Sequence, residues 1–310
     1  MRTTSILATG LLALTLTLLR ATPARAAAFV PGEILVPEFF GNSVQRYSAT
    51  GTLLQTFTGT GTGWEGASLT PAGNLVTSYG SSGSGVDIFN PSGTQITTFF
   101  ATGNAFRGDV SVFANGTLAL NDQINNTVQF WSQAGVLLQT VSLPGLAHPF
   151  GNTVGSDGIL YVAGLDSSSL ARVSAGGVSL GNVSLMFQPG DLVMNPVDGT
   201  LWVSGNFDDR AYHITTTGTV LGSFATGLTG SFESIGLAPD NNSLYVTTES
   251  STVVKHFNLS GGLLGSFALT SPNTPVFITV VPNAAPEPGS AALLLGGCAL
   301  LAARRKRHAL

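Results

Sequence analysis

The sequence predicts an all-β ring of six four-stranded blades, a six-bladed β-propeller closed by its last strand. Three observations predict it: a body almost without helical patterning, a repeat of about 42 residues, and a strand missing from the first repeat that reappears after the last. Of the 310 residues 43% are apolar and only 9% charged, enough for a sizeable core under a weakly charged surface. Thirty-nine glycines, with abundant Ser and Thr, ask for many tight turns. Short β-branched and aromatic runs broken by Gly, Pro, Asn and Asp dominate, and few windows hold a 3.6-residue apolar period.

The repeat rests on markers that stay in register. An apolar residue before a turn falls at Tyr47, Phe89, Trp131, Val173, Ile214 and Phe257, at intervals of 42, 42, 42, 41 and 43. The residue near the end of the following strand falls at Phe57, Phe99, Val141, Val183, Phe224 and Phe267, at the same intervals. Turn glycines at Gly32, Gly73, Gly116, Gly158 and Gly199 lead to Asn242 at similar steps. Each unit has room for four short strands, the size of a propeller blade. Apolar residues point to both faces of strands such as Val86-Asp87-Ile88-Phe89, as blades covered on both sides require.

Ring closure follows from the same alignment. Copies two to six open with an innermost strand: Ala67-Ser68-Leu69, Val110-Ser111-Val112, Asn152-Thr153-Val154, Leu192-Val193-Met194 and Ile235-Gly236-Leu237. Copy one starts at Gly32 without it, and Ile278-Thr279-Val280 supplies it from the far end. That strand is expected to complete the first blade and remove two exposed edges. The body spans residues 29–282.

Charge excludes some partners. Between residues 27 and 282 five basic residues face fifteen acidic ones, a net charge of −10 with no basic stripe, so nucleic acid is excluded as a partner. The single cysteine, Cys298, lies outside the body, which excludes disulfides, thiolate zinc sites and cysteine nucleophiles there. His148, His213 and His256 read as structural residues at different places in the repeat.

Both ends read as processing segments. Residues 1–26 have the form of a signal peptide: Arg2, the apolar run Ile6 to Leu19, and small residues Ala24 and Ala26 at the positions a signal peptidase inspects. At the other end, residues 283–310 place Pro286-Glu287-Pro288 before a charge-free run, 289–303, and the basic cluster Arg304, Arg305, Lys306 and Arg307. That run is short for a permanent membrane helix, and the cluster would hold its end on the cytoplasmic side. This tail resembles the PEP-CTERM sorting signal of Gram-negative bacteria. The resemblance implies transient insertion in the inner membrane, cleavage by an exosortase, and release to the cell surface or a biofilm matrix containing exopolysaccharide.

The Val-x-x-aromatic…Gly signature, with turns such as Asp157-Gly158-Ile159-Leu160-Tyr161-Val162, resembles NHL-type repeats and gluconolactonase-like six-bladed propellers. In such propellers the innermost strands start at the mouth of a central channel. Glu65, Asp109, Asn152, Asp191 and Glu233 precede or begin those strands, and are expected to ring one opening. The resemblance implies a divalent-cation site there, and hard oxygen ligands suit calcium or magnesium. Asp and Asn before a strand also cap turns through their own backbone.

Two function classes follow. One is a non-catalytic surface or matrix module that binds polysaccharide or a surface protein. The other is a metal-dependent extracytoplasmic hydrolase of the lactonase type. The sequence has no His-Glu-x-x-His and no consistent acid–base pair, which favours the first.

Overall fold

The computed structural model describes residues 28–80, 83–101, 108–230, 234–270 and 274–283. The expected signal peptide, the expected sorting tail beyond Asn283, and Glu233 lie outside these residues. Six antiparallel sheets of four strands make the ring. Blade 1 contains β1 (Ile34–Glu38), β2 (Ser43–Tyr47) and β3 (Leu53–Thr58). Blade 2 contains β4 (Trp64–Leu69), β5 (Leu75–Tyr79), β6 (Gly85–Phe89) and β7 (Gln95–Phe100). Blade 3 contains β8 (Val110–Val112), β9 (Leu118–Asp122), β10 (Thr127–Trp131) and β11 (Leu137–Ser142). Blade 4 contains β12 (Pro149–Val154), β13 (Ile159–Gly164), β14 (Ser169–Ser174) and β15 (Ser179–Ser184). Blade 5 contains β16 (Pro189–Asn195), β17 (Thr200–Gly205), β18 (Arg210–Ile214) and β19 (Val220–Ala225). Blade 6 contains β20 (Ser234–Leu237), β21 (Ser243–Thr247), β22 (Val253–Asn258) and β23 (Leu263–Ala268). The last strand, β24 (Thr279–Val280), is the innermost strand of blade 1.

Closure occurs where the repeat places it. Ile34 pairs with Val280 and Leu35 with Thr279, and the bonds Gly32 N to Val281 O and Val276 N to Pro37 O extend the contact in both directions. The ring therefore ends within its first blade, and neither terminus leaves an innermost edge open.

Six apolar clusters, one for each junction between blades, hold the ring. Leu35, Val44 and Phe57 of blade 1 meet Trp64, Leu75 and Phe89 of blade 2. Val76, Val86 and Ile88 of blade 2 meet Val110, Leu118 and Trp131 of blade 3. The other four junctions repeat the scheme, so no blade buries its faces alone. All six pre-turn markers are buried, which explains why the repeat keeps them large and apolar. Each such side chain contributes about 1.5–3 kcal/mol through burial. The glycine that follows the marker is needed for space as well as conformation. Gly51 has φ +86°, and a Cβ there would collide with Phe267 of the preceding blade. In the last copy of the inner turn the left-handed residue is Asn241, at φ +59°, rather than the expected Asn242. Asparagine tolerates that region better than other residues with a Cβ.

The ring has two faces. Turns after the innermost strands, such as 155–158 and 196–199, lie on one, the turn face. The loops 39–42, 123–126, 165–168 and 206–209 and the connections between blades lie on the other, the loop face.

Candidate functional site

The predicted ring of acidic residues is not a ring of equivalent positions. Strand pairing aligns Ala67 with Thr77, Val110 with Leu120, Asn152 with Val162, Leu192 with Val203 and Ile235 with Val246. Asn152 thus shares its level with Ala67, Val110, Leu192 and Ile235. Asp109 and Asp191 lie one residue earlier, level with Gly66, Gly151 and Ser234. Glu65 lies two residues earlier, level with Gly108, Phe150 and Gly190. A one-residue offset turns a strand side chain to the opposite face, so the similar residue types do not converge as one set. Sequence motifs around each strand gave no means of seeing this, because a register irregularity precedes the aligned residue in blades 2, 4 and 5.

Asp109, Asn152 and Asp191 do line the central channel, a cavity of about 500 Å³ with walls from all six innermost strands. Glu65 does not; it is buried off the channel and accepts a bond from Gln123 Nε2 at 3.3 Å. The channel walls extend to Ser156, Pro196, Pro239, Asn241 and Asn283, so the cavity reaches the turn face. Toward the loop face it is stopped. Phe277 of blade 1 and Phe150 of blade 4, diametrically opposite blades, pack ring to ring with centroids 4.7 Å apart. Val276, Leu165 and Phe39 complete this plug. The expected open mouth is therefore the closed end of the channel. The plug was missed because Phe277 reads as the residue before a closing strand; only the ring brings blades 1 and 4 together.

The two aspartates perform the same local task. The Asp191 carboxylate accepts from its own Leu192 N at 2.7 Å and, across the blade junction, from Ser234 Oγ at 2.8 Å and Ile235 N at 3.0 Å. Ser234 Oγ in turn accepts from Ile278 N at 2.6 Å, linking blade 6 to blade 1. The Asp109 carboxylate accepts from its own Val110 N at 2.8 Å and from the backbone N–H of Asn152 in the next blade. Each thus staples its innermost strand to the next one. Gly66 and Gly151 make room for this: a Cβ on Gly66 would lie 2.7 Å from Asp109 Oδ1, and one on Gly151 2.9 Å from Asp191 Oδ1.

Burial dominates the electrostatics. It raises the Glu65 carboxyl well above 4.5, opposed by the Gln123 bond. It raises Asp109 well above 3.8, and the neighbouring Asp191 charge adds to the rise. Burial pushes Asp191 up to about 7, while its three donors pull the other way.

The described residues of the set do not fit a hard-cation cage. Both oxygens of Asp191 already accept from protein donors, and Asp109 has donors of its own. Among the described residues no group of three or more His, Cys, Asp or Glu side chains could hold a metal ion. One atom points the other way. Asn152 Nδ2 donates to Asp109 O at 3.0 Å and to Asn121 Oδ1 at 2.9 Å, but its buried Oδ1 has no partner.

The histidines are structural, with one correction. His213 and His256 occupy the same place in blades 5 and 6, each stacked within 6° of parallel on an aromatic ring of the neighbouring strand, Trp202 and Tyr245. Each stands one residue before a pre-turn marker, Ile214 and Phe257, so the spacing of the repeat already contained their equivalence. His148 differs: its Nδ1 lies 2.7 Å from Asp166 Oδ2 in an exposed pair on the loop face.

That face has a feature the sequence reading did not single out. The loops 39–42, 123–126 and 206–209, in alternate blades 1, 3 and 5, have the same length and each end on a left-handed residue. Their fourth residues, Asn42, Asn126 and Asp209, have φ of 48°, 51° and 53°. Their second residues, Phe40, Ile124 and Phe207, are 72%, 54% and 66% exposed. Phe207 itself is held at φ +69°, a strained conformation for a bulky side chain.

No family model and no curated relative matches the chain. Solved structures do. A protein of unknown function from Desulfotomaculum acetoxidans superposes with a TM-score of 0.64 at 18% identity, over 83% of this chain and 88% of that one. A streptogramin B lyase superposes with 0.62 at 17% identity, over 80% and 83%. A chain of the nidogen/laminin complex superposes with 0.64 at 14% identity, over 80% and 97%. At these identities the likeness establishes the six-bladed propeller fold and nothing beyond it.

Proposed function

We propose that this chain is an exported propeller, sorted by an exosortase, that acts at the cell surface or in an extracellular matrix as a non-catalytic binding or structural module. The observation that carries the non-catalytic part is the commitment of the channel aspartates to inter-blade bonds beneath a plug of Phe277 and Phe150. Chemistry on a substrate needs groups free to exchange protons or hold a cation, and these carboxylates are engaged. The loop face, with Phe40, Ile124 and Phe207 exposed and few charges around them, suits a neutral polysaccharide or a surface protein better than a polyanion. Signal peptidase and an exosortase are the partners during processing.

Export is supported by the sequence of the two ends alone. Intact-mass analysis of secreted protein tests it: the mature chain is expected to begin at Ala27 or nearby and finish close to Pro286. Extracellular protein that retains Arg304 to Arg307 refutes the sorting reading. The hydrolase alternative rests on one atom, the unpartnered Asn152 Oδ1, and its test is the response to calcium and magnesium given below.

A further inference from the structure

The outer strands β3, β7, β11, β15, β19 and β23 each end a sheet, so one edge of every blade has backbone N–H and C=O groups without a sheet partner. Proteins commonly protect such edges with charged side chains, proline, bulges or a covering loop. Here each outer strand has one register irregularity near its start, and beyond it none of the six strands contains a charged residue or a proline. All six instead carry an exposed apolar side chain: Leu54, Ile96, Leu138, Leu180, Leu221 and Leu264 are between 41% and 56% exposed. The same sequence pattern that builds the repeat thus produces an apolar rim six times over, with an arginine from the neighbouring strand reaching the outer strand at Leu180 O and at Ser223 Oγ.

Charge indicates what covers it. The exposed carboxylates lie on the two faces, with Asp157, Asp198 and Asp240 in turn-face turns and Asp166 and Asp208 in loop-face loops. Two copies stacked face to face would bring like charges together. Two copies side by side would not, and edge pairing is self-complementary because every strand offers both donors and acceptors. We propose that the rim is a self-association surface, through which copies of this chain pair outer strand to outer strand in the plane of the ring. A six-residue strand is about 20 Å long. One such pair falls short of the roughly 1,000 Å² of a specific interface, so a single contact is weak. Six edges per ring let weak contacts add into lateral assemblies. The inference stands whether or not the chain is exported, and whether or not the loop face binds a ligand.

Sedimentation velocity on the purified full-length chain at increasing concentration tests it, with three variants carrying the same terminal segments. The first is L54K/I96K/L138K/L180K/L221K/L264K, the second carries glutamate at the same six positions, and the third, F40K/I124K/F207K, adds positive charge to the loop face. The parent is expected to form larger species as concentration and salt rise. Each rim variant stays monomeric, the face variant assembles like the parent, and an equal mixture of the two rim variants assembles again because opposite charges meet across the paired edges. Assembly in the mixture also shows that both variants are folded. A parent that remains monomeric throughout, a rim variant that assembles like the parent, or a mixture that stays monomeric overturns the proposal.

Discussion

Asp191→Asn separates the structural role of the channel carboxylates from their titration. The parent side chain accepts from Leu192 N, Ser234 Oγ and Ile235 N. An asparagine keeps one acceptor oxygen and turns an NH₂ group toward the Ile235 N–H, leaving that buried donor unpaired at a cost of about 1–3 kcal/mol. Titration acts in the opposite direction as pH rises. Burial raises Asp191 from 3.8 to about 7 in the folded chain. Below 3.8 the carboxyl is protonated in both folded and unfolded states, and its contribution to stability is fully present. Between about pH 4 and 7 the unfolded chain ionises while the folded one keeps its proton, so the parent loses stability as pH rises. At about 1.4 kcal/mol per pH unit, the loss amounts to about 4 kcal/mol at most. The substituted asparagine does not titrate. The variant should therefore be less stable than the parent near pH 4, draw level between about pH 4.5 and 6, and be the more stable of the two at pH 8. Asp109 is raised by burial and by the Asp191 charge; the variant keeps the burial part but loses the part due to that charge, so Asp109 adds to the parent's relative loss as pH rises. Urea unfolding of parent and variant at pH 4.5, 6 and 8 measures the difference. A penalty that is constant with pH, or one that grows as pH rises, refutes the reasoning and identifies Asp191 as an ionised carboxylate held by its three donors.

Three further outcomes can be checked. Phe277→Ala should lower stability by about 3–5 kcal/mol, since it empties a buried ring from the plug and loosens the closing strand beside it; denaturant unfolding reads this directly. Phe207→Gly should raise the melting temperature slightly, by relief of about 1 kcal/mol of left-handed strain at an exposed position, and weaken any polysaccharide binding at the loop face. Calcium and magnesium should leave the melting temperature unchanged. A rise that Asn152→Ala abolishes would restore the cation site and the hydrolase reading with it.

The blade count, the period and the closing strand were legible along the chain because they depend on local order. A pre-turn residue that must fill an inter-blade cluster, such as Tyr47 or Trp131, stays large and apolar in every copy, and a turn glycine such as Gly51 recurs because a neighbouring ring occupies the space of its Cβ. Such constraints repeat with the unit and so appear as spacing. The expected processing segments rest on linear patterns alone and, apart from Asn283, lie outside the described residues. The site was not legible, because it depends on how blades meet. Whether Asp109, Asn152 and Glu65 converge is set by one-residue offsets at register irregularities, which residue type does not encode. Which end of the channel is closed is set by the contact of Phe150 with Phe277, residues more than a hundred positions apart that only a closed ring makes neighbours. Local packing rules write themselves into a repeat, whereas contacts across its axis are made once and leave no period to read.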